Sequence, residues 1–557
     1  MAGFIFVTDI WWERVFVHFT VESHADDVIK EFRLRSGRLG IVTPTINCEK
    51  TGDNTYHLFF NITAANGRDF LDNSNWNIIA ITEDPKTHEE GDIICSCSYD
   101  LAYRIADYTR IFRYGTGLYM YTVAFAYAVR DDDPDQFYFM IRSHFVTEND
   151  DWRKRKYLRE DKRAGGRTSW TIKRRFNINL MRMYYKVASA LNSKNGNRIM
   201  LMTETKDFLW GNLKYIDDRI KERGLDDRFE ITYNFRAQVG GRSSIFSWFS
   251  LIRKIARQDY IFVDDYVPIF GWLDLDPQTK LIQVWHAGEG FKSVGYSRFG
   301  KRGSPYPIRN CHKMYDYVIT GSQRLVHTYE EVFGIDRTAF LPLGMARLDG
   351  YLDPEKIDEF KKEFYSKYPQ FQGKKLILFA PTFRGKNQRL AYYDYDQLDL
   401  KRIYEFCGSE YIWAFKIHPF VSEAPAIPKE YSDRIVDLSS WQNINDLYYV
   451  TDLMITDYSS SYYDYGLLRR PVLFFTYDRL QYELMRGVHK SVLETAPGKV
   501  CDTFDELMEA LEKKDYEFEK MERFADEQFG DYDGHAADRI IDTILLKEGE
   551  WCWTEKE

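Results

Sequence analysis

Residues 374–382 (KKLILFAPT), 411–419 (YIWAFKIHP) and 452–460 (DLMITDYSS) decide the fold of this 557-residue chain. Each stretch begins with a short apolar run and ends in polar residues, which is typical of a parallel strand buried on both faces. A helical stretch, KIDEFKKEFYSKYP at 356–369, precedes them. The alternation predicts a doubly wound α/β sheet.

The same rhythm occurs earlier in the chain, where RIMLMT, YIFVDD, LIQVWH, DYVITG and TAFLPLG lie between residues 198 and 344. Two consecutive blocks predict two Rossmann-type parallel-sheet lobes that face a cleft. We therefore divide the chain into a β module (1–150), a basic linker or helical segment (151–195), a first lobe (196–350) and a second lobe with C-terminal helices (351–557).

The first 150 residues have the pattern of β-structure. Short alternating segments such as RVFVHFTVE at 14–22 and QFYFMIRSHFV at 136–146 are separated by polar turns. This spacing predicts an N-terminal all-β, sandwich-like module. It contains no catalytic constellation, so an accessory or assembly role, including a homo-oligomer, is the interpretation.

Residues 152–186 hold thirteen Lys or Arg against two acids. Two interpretations stay open: a patch for anionic lipid or a polyanionic polymer, and a solvated linker between domains. The end of this segment, INLMRMYYKVASAL at 178–191, has the pattern of an amphipathic helix.

Composition restricts the class of protein. The net charge of -9 argues against a general nucleic-acid binder. Seven sparse cysteines favour free thiols in a reducing cytoplasm. The N-terminus lacks the pattern of a secretory signal, and no run of about 18 uncharged apolar residues predicts a transmembrane helix.

Polar residues follow several of the predicted strands. Because the carboxyl ends of parallel strands share one rim of a sheet, we expect these residues to lie near each other. They are His286, Pro381, Thr382, Arg384, His418, Asp457, Ser459 and Ser460.

The helix that opens at Ser459, Ser460 and Ser461 is a candidate anion site, because its amino end offers backbone N–H groups and a favourable dipole. A plain N-cap is the alternative. With Arg384 and His418 on neighbouring strand ends, a phosphate or diphosphate is favoured. No P-loop, HExxH motif or clustered Cys/His set occurs, so neither a P-loop nucleotide site nor a metal site is predicted.

The stretch 286–305, HAGEGFKSVGYSRFGKRGSP, joins His286 to five glycines and several cations. Flexible backbone beside cations suits an anionic, moving substrate, and a solvated surface loop is the alternative. The cations are Lys292, Arg298, Lys301 and Arg302.

Five motifs in this order resemble the CDP-glycerol glycerophosphotransferase family of teichoic-acid polymerases. They are QVWHAGEGFKSVGYSRFGKRGSP (283–305), YIFVDDYVPIF (260–270), LFAPTFRG (378–385), KIHPF (416–420) and TDLMITDYSSSYYDY (451–465). IWWERVFVHF near the start and YDGHAADRI at 532–540, with Asp533, Gly534, Ala537 and Arg539, also resemble the family. His286-Ala287-Gly288-Glu289-Gly290 departs from the His-Gly pattern of many glycerol-phosphate members and favours the ribitol-type subgroup.

The resemblance implies a GT-B fold and transfer of ribitol phosphate from CDP-ribitol to the hydroxyl end of a lipid-linked teichoic acid, with release of CMP. It also implies peripheral association with the inner, anionic face of the cell membrane. CDP-glycerol is the alternative donor, and no cofactor is certain, although a divalent cation is possible. A nucleotide-sugar glycosyltransferase and a polymer-binding scaffold are the competing functions.

Roles for the strand-end residues follow as hypotheses. His286 would be the general base, since histidine titrates near neutral pH. Arg384, Thr382, His418, Ser459 and Ser460 would hold the donor diphosphate, and His418 would also take part in catalysis. Asp446 would contact the nucleotide ribose, and Asp457 would contact the nucleotide or hold the loop.

Overall fold

The computed structural model describes residues 3–115, 119–147, 172–237, 244–286, 294–301, 303–307, 310–385, 388–486, 491–530 and 532–548. These residues form a β module followed by two lobes, each on a six-stranded parallel sheet. The predicted loop residues Lys292 and Arg302, and residues 151–171 of the basic segment, lie outside the described ranges.

The β module is one mixed network of twelve strands around a single apolar core. The predicted all-β architecture is confirmed, although hydrogen bonds link the strands into one sheet instead of two separate layers. The strands are β1 Ile5–Glu13, β2 Phe16–Ser23, β3 Val28–Ser36, β4 Ile41–Val42, β5 Asn47–Lys50, β6 Thr55–Asn61, β7 Ser74–Glu83, β8 Glu90–Ile94, β9 Ser96–Cys97, β10 Arg110–Tyr114, β11 Tyr119–Arg130 and β12 Asp133–Thr147.

The first lobe has the strand order β14-β13-β15-β16-β17-β18, with every neighbouring pair parallel. The order reverses between β13 and β15, and ligands of open α/β sheets bind at such switch points, beyond the carboxyl ends of the strands. The strands are β13 Arg198–Thr203, β14 Glu230–Phe235, β15 Tyr260–Val263, β16 Lys280–Gln283, β17 Tyr317–Ile319 and β18 Phe340–Leu341.

The second lobe has the order β21-β20-β19-β22-β23-β24, again all parallel, with its switch point between β19 and β22. Strand β19 is apolar on both faces: Leu376 and Leu378 enter one core cluster, whereas Ile377 and Phe379 enter another. The strands are β19 Lys375–Phe379, β20 Tyr411–Phe415, β21 Ile435–Asp437, β22 Thr451–Thr456, β23 Val472–Phe475 and β24 Lys499–Cys501.

Helices connect and cover these strands. They are α1 Tyr99–Arg104, α2 Ile172–Ala190, α3 Gly211–Glu222, α4 Ile245–Arg257, α5 Leu325–Phe333, α6 Pro354–Lys367, α7 Leu400–Cys407, α8 Ile444–Leu447, α9 Ser461–Gly466, α10 Arg479–Arg486, α11 Val492–Thr495, α12 Phe504–Lys513, α13 Phe518–Phe529 and α14 Ala536–Ile540. A π-helix, Ile541–Leu546, continues α14. Helix α2 lies where the amphipathic pattern predicts one.

The C-terminal helices return to the first lobe. Ile540, Ile541 and Ile544 belong to the same core cluster as Ile199 on β13. The predicted division at residue 350 assigns these helices to the second lobe, but their apolar side chains are buried against the first.

Polar contacts join the β module to the first lobe. Arg14 Nε donates to both carboxylate oxygens of buried Glu331, at 2.9 and 2.7 Å. The ammonium of Lys313 donates to the backbone carbonyls of Thr63 and Gly334. The module therefore packs directly against α5 of the first lobe.

Candidate active site at the interlobe rims

His286 lies just beyond the carboxyl end of β16. Its Nδ1 is 3.0 Å from the backbone carbonyl oxygen of Asp264, and its side chain is 39% exposed. A carbonyl oxygen can only accept, so Nδ1 carries the proton of the neutral ring. Nε2 then keeps its lone pair, which is the form that a general base needs.

Two carboxylates beyond β15 lie beside this imidazole. Asp264 is 2% exposed, and neither of its carboxylate oxygens has a hydrogen-bond partner of normal geometry within the described chain. Burial raises the pKa of Asp264 to about 6, more than Thr203 and His286 lower it. Asp265 Oδ2 lies 3.9 Å from His286 Nδ1. The first-lobe rim therefore combines an imidazole with a buried acid at the switch point.

Asp457 organises the corresponding rim of the second lobe. Its Oδ1 accepts from the backbone N–H and the hydroxyl of Thr382, at 2.8 and 3.0 Å, and from the backbone N–H of Tyr458. Its Oδ2 accepts from Arg384 at 2.8 Å. These bonds hold the loop after β19 in place, which corresponds to the predicted loop-holding role of Asp457.

Arg384 lies inside the second lobe instead of at its surface. It is 5% exposed, and its Nε and Nη2 donate to Asp478 at 2.6 and 2.9 Å while Nη1 donates to Asp457. Four tyrosine rings lie within 6 Å of the guanidinium: Tyr393, Tyr458, Tyr477 and Tyr482. The guanidinium already binds two carboxylates, so it does not point at a donor diphosphate as expected from the sequence. Arg384 instead holds the loop after β19 in place.

His418, beyond β20, has the opposite tautomer to His286. Its Nδ1 accepts from the backbone N–H of Phe420 at 3.2 Å, so the neutral ring carries its proton on Nε2. The ring packs against Phe383 and Phe420, with centroids 4.8 and 4.7 Å away. An Nε2–H in this setting can donate to an anion.

The serines between β22 and α9 are half-buried. Ser459 Oγ accepts the backbone N–H of Ser461 at 3.3 Å and lies 2.8 Å from the Ser461 hydroxyl. Ser459 therefore acts as a cap, whereas the Ser460 side chain makes no capping hydrogen bond in the helix. The cap that the sequence offers as the alternative is therefore formed by Ser459, and the anion site at Ser460 stays a prediction.

A chain of hydrogen bonds links the two rims. Asn212 Nδ2 donates to the carbonyls of Val284 and Trp285, directly before His286, and Asn212 Oδ1 accepts the backbone N–H of Arg347. The Arg347 guanidinium forms a bidentate pair with Asp464 of α9, at 2.7 and 2.6 Å. The segment that carries His286 is thus connected through two side chains to the helix that follows Ser459 and Ser460.

Close packing supports the same juxtaposition of the lobes. A Cβ at Gly321, just beyond β17, would lie 2.8 Å from the hydroxyl oxygen of Tyr463 on α9. Only glycine leaves room for this approach.

The described part of the predicted loop, from residue 294 onward, packs against the β module, whereas the sequence predicts flexible backbone there. We call residues 294–301 and 303–307 the anchored loop. Tyr296 and Phe299 are fully buried in the core cluster of the β module. Of the predicted cations in this part, Arg298 is half-buried and Lys301 is exposed. The burial of these two aromatic rings holds the loop in place. The many glycines and cations of the stretch instead suggest a flexible loop.

Asp446 lies in α8, close to the contact between the lobes. Its Oδ1 accepts from Asn443 at 2.8 Å, and burial raises the pKa of its carboxyl group. The neighbouring Asn445 donates to Asp464 at 2.7 Å. The contact of Asp446 with the nucleotide ribose stays a prediction.

Sequence reasoning missed several residues of this region. Asp264 and Asp478 follow β15 and β23, so the strand-end rule that selected His286 could have found them. Asn212, Arg347 and Asp464 carry no local signal, because their contacts join distant segments. Across the described ranges, no group of three or more His, Cys, Asp or Glu side chains could hold a metal ion.

Comparison with known proteins identifies the family to which the chain belongs. The model for CDP-Glycerol:Poly(glycerophosphate) glycerophosphotransferase matches residues 183–546. The teichoic acid poly(ribitol-phosphate) polymerase of Bacillus spizizenii is 35% identical over 377 residues, covering 68% of this chain and 60% of that protein. The ribitol-phosphate polymerase TarL of Staphylococcus aureus is 33% identical over 367 residues, covering 66% and 65%. The chain thus spans less than two thirds of these two relatives.

Solved structures share the architecture. The wall teichoic acid polymerase TagF aligns with a TM-score of 0.55 and 22% identity, covering 71% of this chain and 97% of that one. A TagF variant soaked with CDPG aligns with a TM-score of 0.52 and 20% identity, covering 72% and 99%. At this identity the likeness concerns the fold, and it confirms the predicted GT-B-like arrangement.

Proposed function

Because the chain belongs to the CDP-glycerol:poly(glycerophosphate) glycerophosphotransferase family, we propose that it transfers a polyol phosphate from a CDP-polyol to a teichoic acid chain. The acceptor is the hydroxyl end of a lipid-linked wall teichoic acid, and CMP is released. The ribitol-phosphate polymerases among its relatives support CDP-ribitol as the donor, with CDP-glycerol as the alternative.

One observation carries the mechanism: the two strand-end histidines have complementary tautomers. His286 presents a lone pair on Nε2, because its Nδ1 donates to Asp264. His418 presents a proton on Nε2, because its Nδ1 accepts from Phe420. Transfer of a phosphoryl group from a diphosphate to an acceptor hydroxyl needs a lone pair that takes the hydroxyl proton and a hydrogen-bond donor that stabilises the leaving phosphate.

In the proposed reaction, His286 Nε2 takes the proton of the acceptor hydroxyl as its oxygen attacks the polyol-bearing β-phosphorus. The bond between that phosphorus and the bridging oxygen breaks, and CMP leaves with the bonding electrons. His418 Nε2–H and the Ser460 hydroxyl donate to the diphosphate oxygens and stabilise the departing charge. Thr382, Arg384 and Asp457 hold the donor loop, and Ser459 holds the start of α9.

A donor panel tests this function. The protein is incubated with a lipid-linked acceptor and CDP-ribitol, CDP-glycerol or a UDP-sugar, and the released nucleotide and the product length are measured. We expect CMP release and chain growth with CDP-ribitol. UDP release with a UDP-sugar would identify a glycosyltransferase instead, and polymer binding without any nucleotide release would identify a scaffold.

We also propose that helices α2 and α4 bind the anionic inner face of the cell membrane. Met183 and Val187 on α2 and Phe246 on α4 are exposed, although the helices pack against each other through Tyr184 and Phe249 at 4.8 Å. Exposed basic residues border them: Lys186, Arg253, Lys254 and Arg257. Apolar side chains beside cations suit the interface of an anionic bilayer.

Vesicle binding tests the membrane surface. Met183→Ser with Phe246→Ser should reduce cosedimentation with phosphatidylglycerol vesicles, whereas Val42→Ser, an exposed apolar residue of the β module, should not. Equal binding by all three proteins would contradict the proposal. Of the helices that the structure describes, none is long and apolar enough to cross a membrane.

A further inference from the structure

The β module reaches the candidate active site through the anchored loop. The Phe299 ring packs against Phe70 and Phe112 of the module, with centroids 5.0 and 5.5 Å away. The Tyr296 hydroxyl donates to the carbonyl of Tyr306 at 3.1 Å, which closes the loop on itself. Both aromatic side chains are part of the module's own core, so the loop and the module are one packed unit.

A β-bridge extends this contact to the edge of the module. Gly300 pairs with Arg113 of β10 in antiparallel orientation. Gly300 has a φ of 84°, and a Cβ there would lie 3.0 Å from Phe112. Glycine is therefore required for β10 to approach the loop so closely.

The other end of the loop lies near His286. A Cβ at Gly295 would lie 2.1 Å from the carbonyl oxygen of Val332 and 3.2 Å from the ring of His312. The His312 ring contacts Trp285 at 6.2 Å, and Trp285 contacts His286 at 4.8 Å between ring centroids. Packed side chains thus connect the candidate base to the anchored loop. We call the line along which this loop meets β10, at Gly300 and Arg113, the seam.

This seam carries positive charge on a protein with a net charge of -9. Arg113 on β10 and Lys301 next to Gly300 are exposed, and Arg298 of the same loop is half-buried. A polyol-phosphate chain carries one negative charge on each phosphodiester, so an acidic protein needs local cations to bind it.

We propose that β10 of the β module and the anchored loop form the part of the acceptor site that carries the growing polymer. Arg113, Arg298 and Lys301 contact successive phosphodiesters of a polyanionic chain whose terminal hydroxyl lies at His286. This inference rests on the proposed function, and it gives the β module a direct part in substrate binding.

Acceptor length tests the inference. KM is measured for the intact protein with a long poly(ribitol phosphate) acceptor and with an acceptor of one unit. For Arg113→Gln with Lys301→Gln, the ratio of the long-acceptor KM to the short-acceptor KM should rise about tenfold, and products should be shorter. Lys50→Gln, an exposed lysine on the distant edge strand β5, should keep the wild-type ratio.

An unchanged ratio in the double variant would overturn the inference, as would an equal rise of KM for both acceptors. Direct binding of purified poly(ribitol phosphate) to the donor-free protein separates this result from failure of the proposed function. The wild-type protein could release no CMP while the double variant still binds polymer more weakly than Lys50→Gln does. That result would contradict the proposed function but support the inferred polymer-binding surface.

Discussion

The two interlobe rims differ in how completely their polar groups are satisfied. In the second lobe, Arg384, Asp457 and Thr382 bind one another in a closed network. In the first lobe, the buried Asp264 carboxylate has no hydrogen bond of normal geometry within the described residues, and the adjacent His286 is partly exposed. A fully hydrogen-bonded network holds its side chains in one geometry. A buried acid without hydrogen bonds destabilises the fold, and its raised pKa beside an imidazole is typical of a catalytic site. We therefore propose that proton abstraction occurs at the first rim, and that the network of Thr382, Arg384 and Asp457 in the second rim positions the donor beside His418 and Ser460.

The most severe test of this contrast is His286→Asn. It should lower kcat by about 10²–10⁴-fold, because the proposed general base is lost, with little change in affinity for CDP-ribitol, the proposed donor. CMP release and equilibrium donor binding measure the two effects. His88→Asn, an exposed histidine of the β module, is the matched control. Near-normal turnover of His286→Asn would remove it from the reaction.

The closed network of the second rim predicts a large stability effect. Arg384→Met leaves Asp457 and Asp478 without their shared cation and should lower the free energy of unfolding by about 3–5 kcal/mol. Arg469→Met, which breaks the exposed pair with Asp526, should change it by about 0.5 kcal/mol or less. Urea denaturation followed by circular dichroism compares the two. Similar effects would mean that Arg384 is not a structural residue.

Asp264→Asn should raise the free energy of unfolding, in contrast to Arg384→Met, which should lower it. Burial raises the folded-state pKa of Asp264 to about 6, so the unfolded chain releases this proton first. Stability should fall as pH rises from about 4 to about 6, and the variant, which lacks this loss, should be about 2–3 kcal/mol more stable at pH 7.5. Thermal unfolding at pH 5 and 7.5, with Asp274→Asn as an exposed control, measures the difference. Turnover should fall in Asp264→Asn, and a variant that is neither stabilised nor slower would refute the contrast between the rims.

The smallest effect concerns the interface between the β module and the first lobe, where His18 and His327 both lie beside Glu13. Burial and His57 lower the pKa of His18 to about 4, so the unfolded chain binds this proton first as the pH falls. The full pKa shift corresponds to about 3 kcal/mol, and solvent screening at this partly buried group reduces the expected loss of stability between pH 6.5 and 4 to about 1–2 kcal/mol. The hydrogen bond from His327 lowers the pKa of Glu13 to about 2, so its contribution is lost only at lower pH, between about 4.5 and 2.

His18→Gln should flatten the upper part of the unfolding-temperature profile, and His24→Gln, an exposed neighbour, should leave it unchanged. If both profiles follow the wild type, His18 does not titrate with unfolding.

The strands of both lobes were predictable because each is a continuous apolar run with polar residues at its end. Strand β19 lies inside the predicted stretch 374–382, and its alternate side chains enter two different cores. The strand-end rule also brought His286 and His418 to the rims of their sheets. A rule based on position along a strand predicts where the backbone lies, and it does not predict where a long side chain points.

Arg384 illustrates that limit, since its two carboxylate partners lie 73 and 94 residues further along the chain. The anchored loop illustrates another: Tyr296 and Phe299 are buried in a domain that ends more than a hundred residues earlier. The return of the C-terminal helices to the first lobe depends likewise on contacts with β13 and α3, which no local pattern reveals.

The return of α14 to the first lobe means that the polypeptide crosses between the lobes twice. Both crossings are bonded together, because the Tyr532 hydroxyl donates to the carbonyl of Met345 and the backbone N–H groups of Ala536 and Ala537 donate to Asp349. A body held at two adjacent points can rotate about the line that joins them but resists sliding and twisting. Any relative movement of the lobes would thereby be restricted to rotation about one hinge axis, along which His286 and His418 would change their separation by a single path.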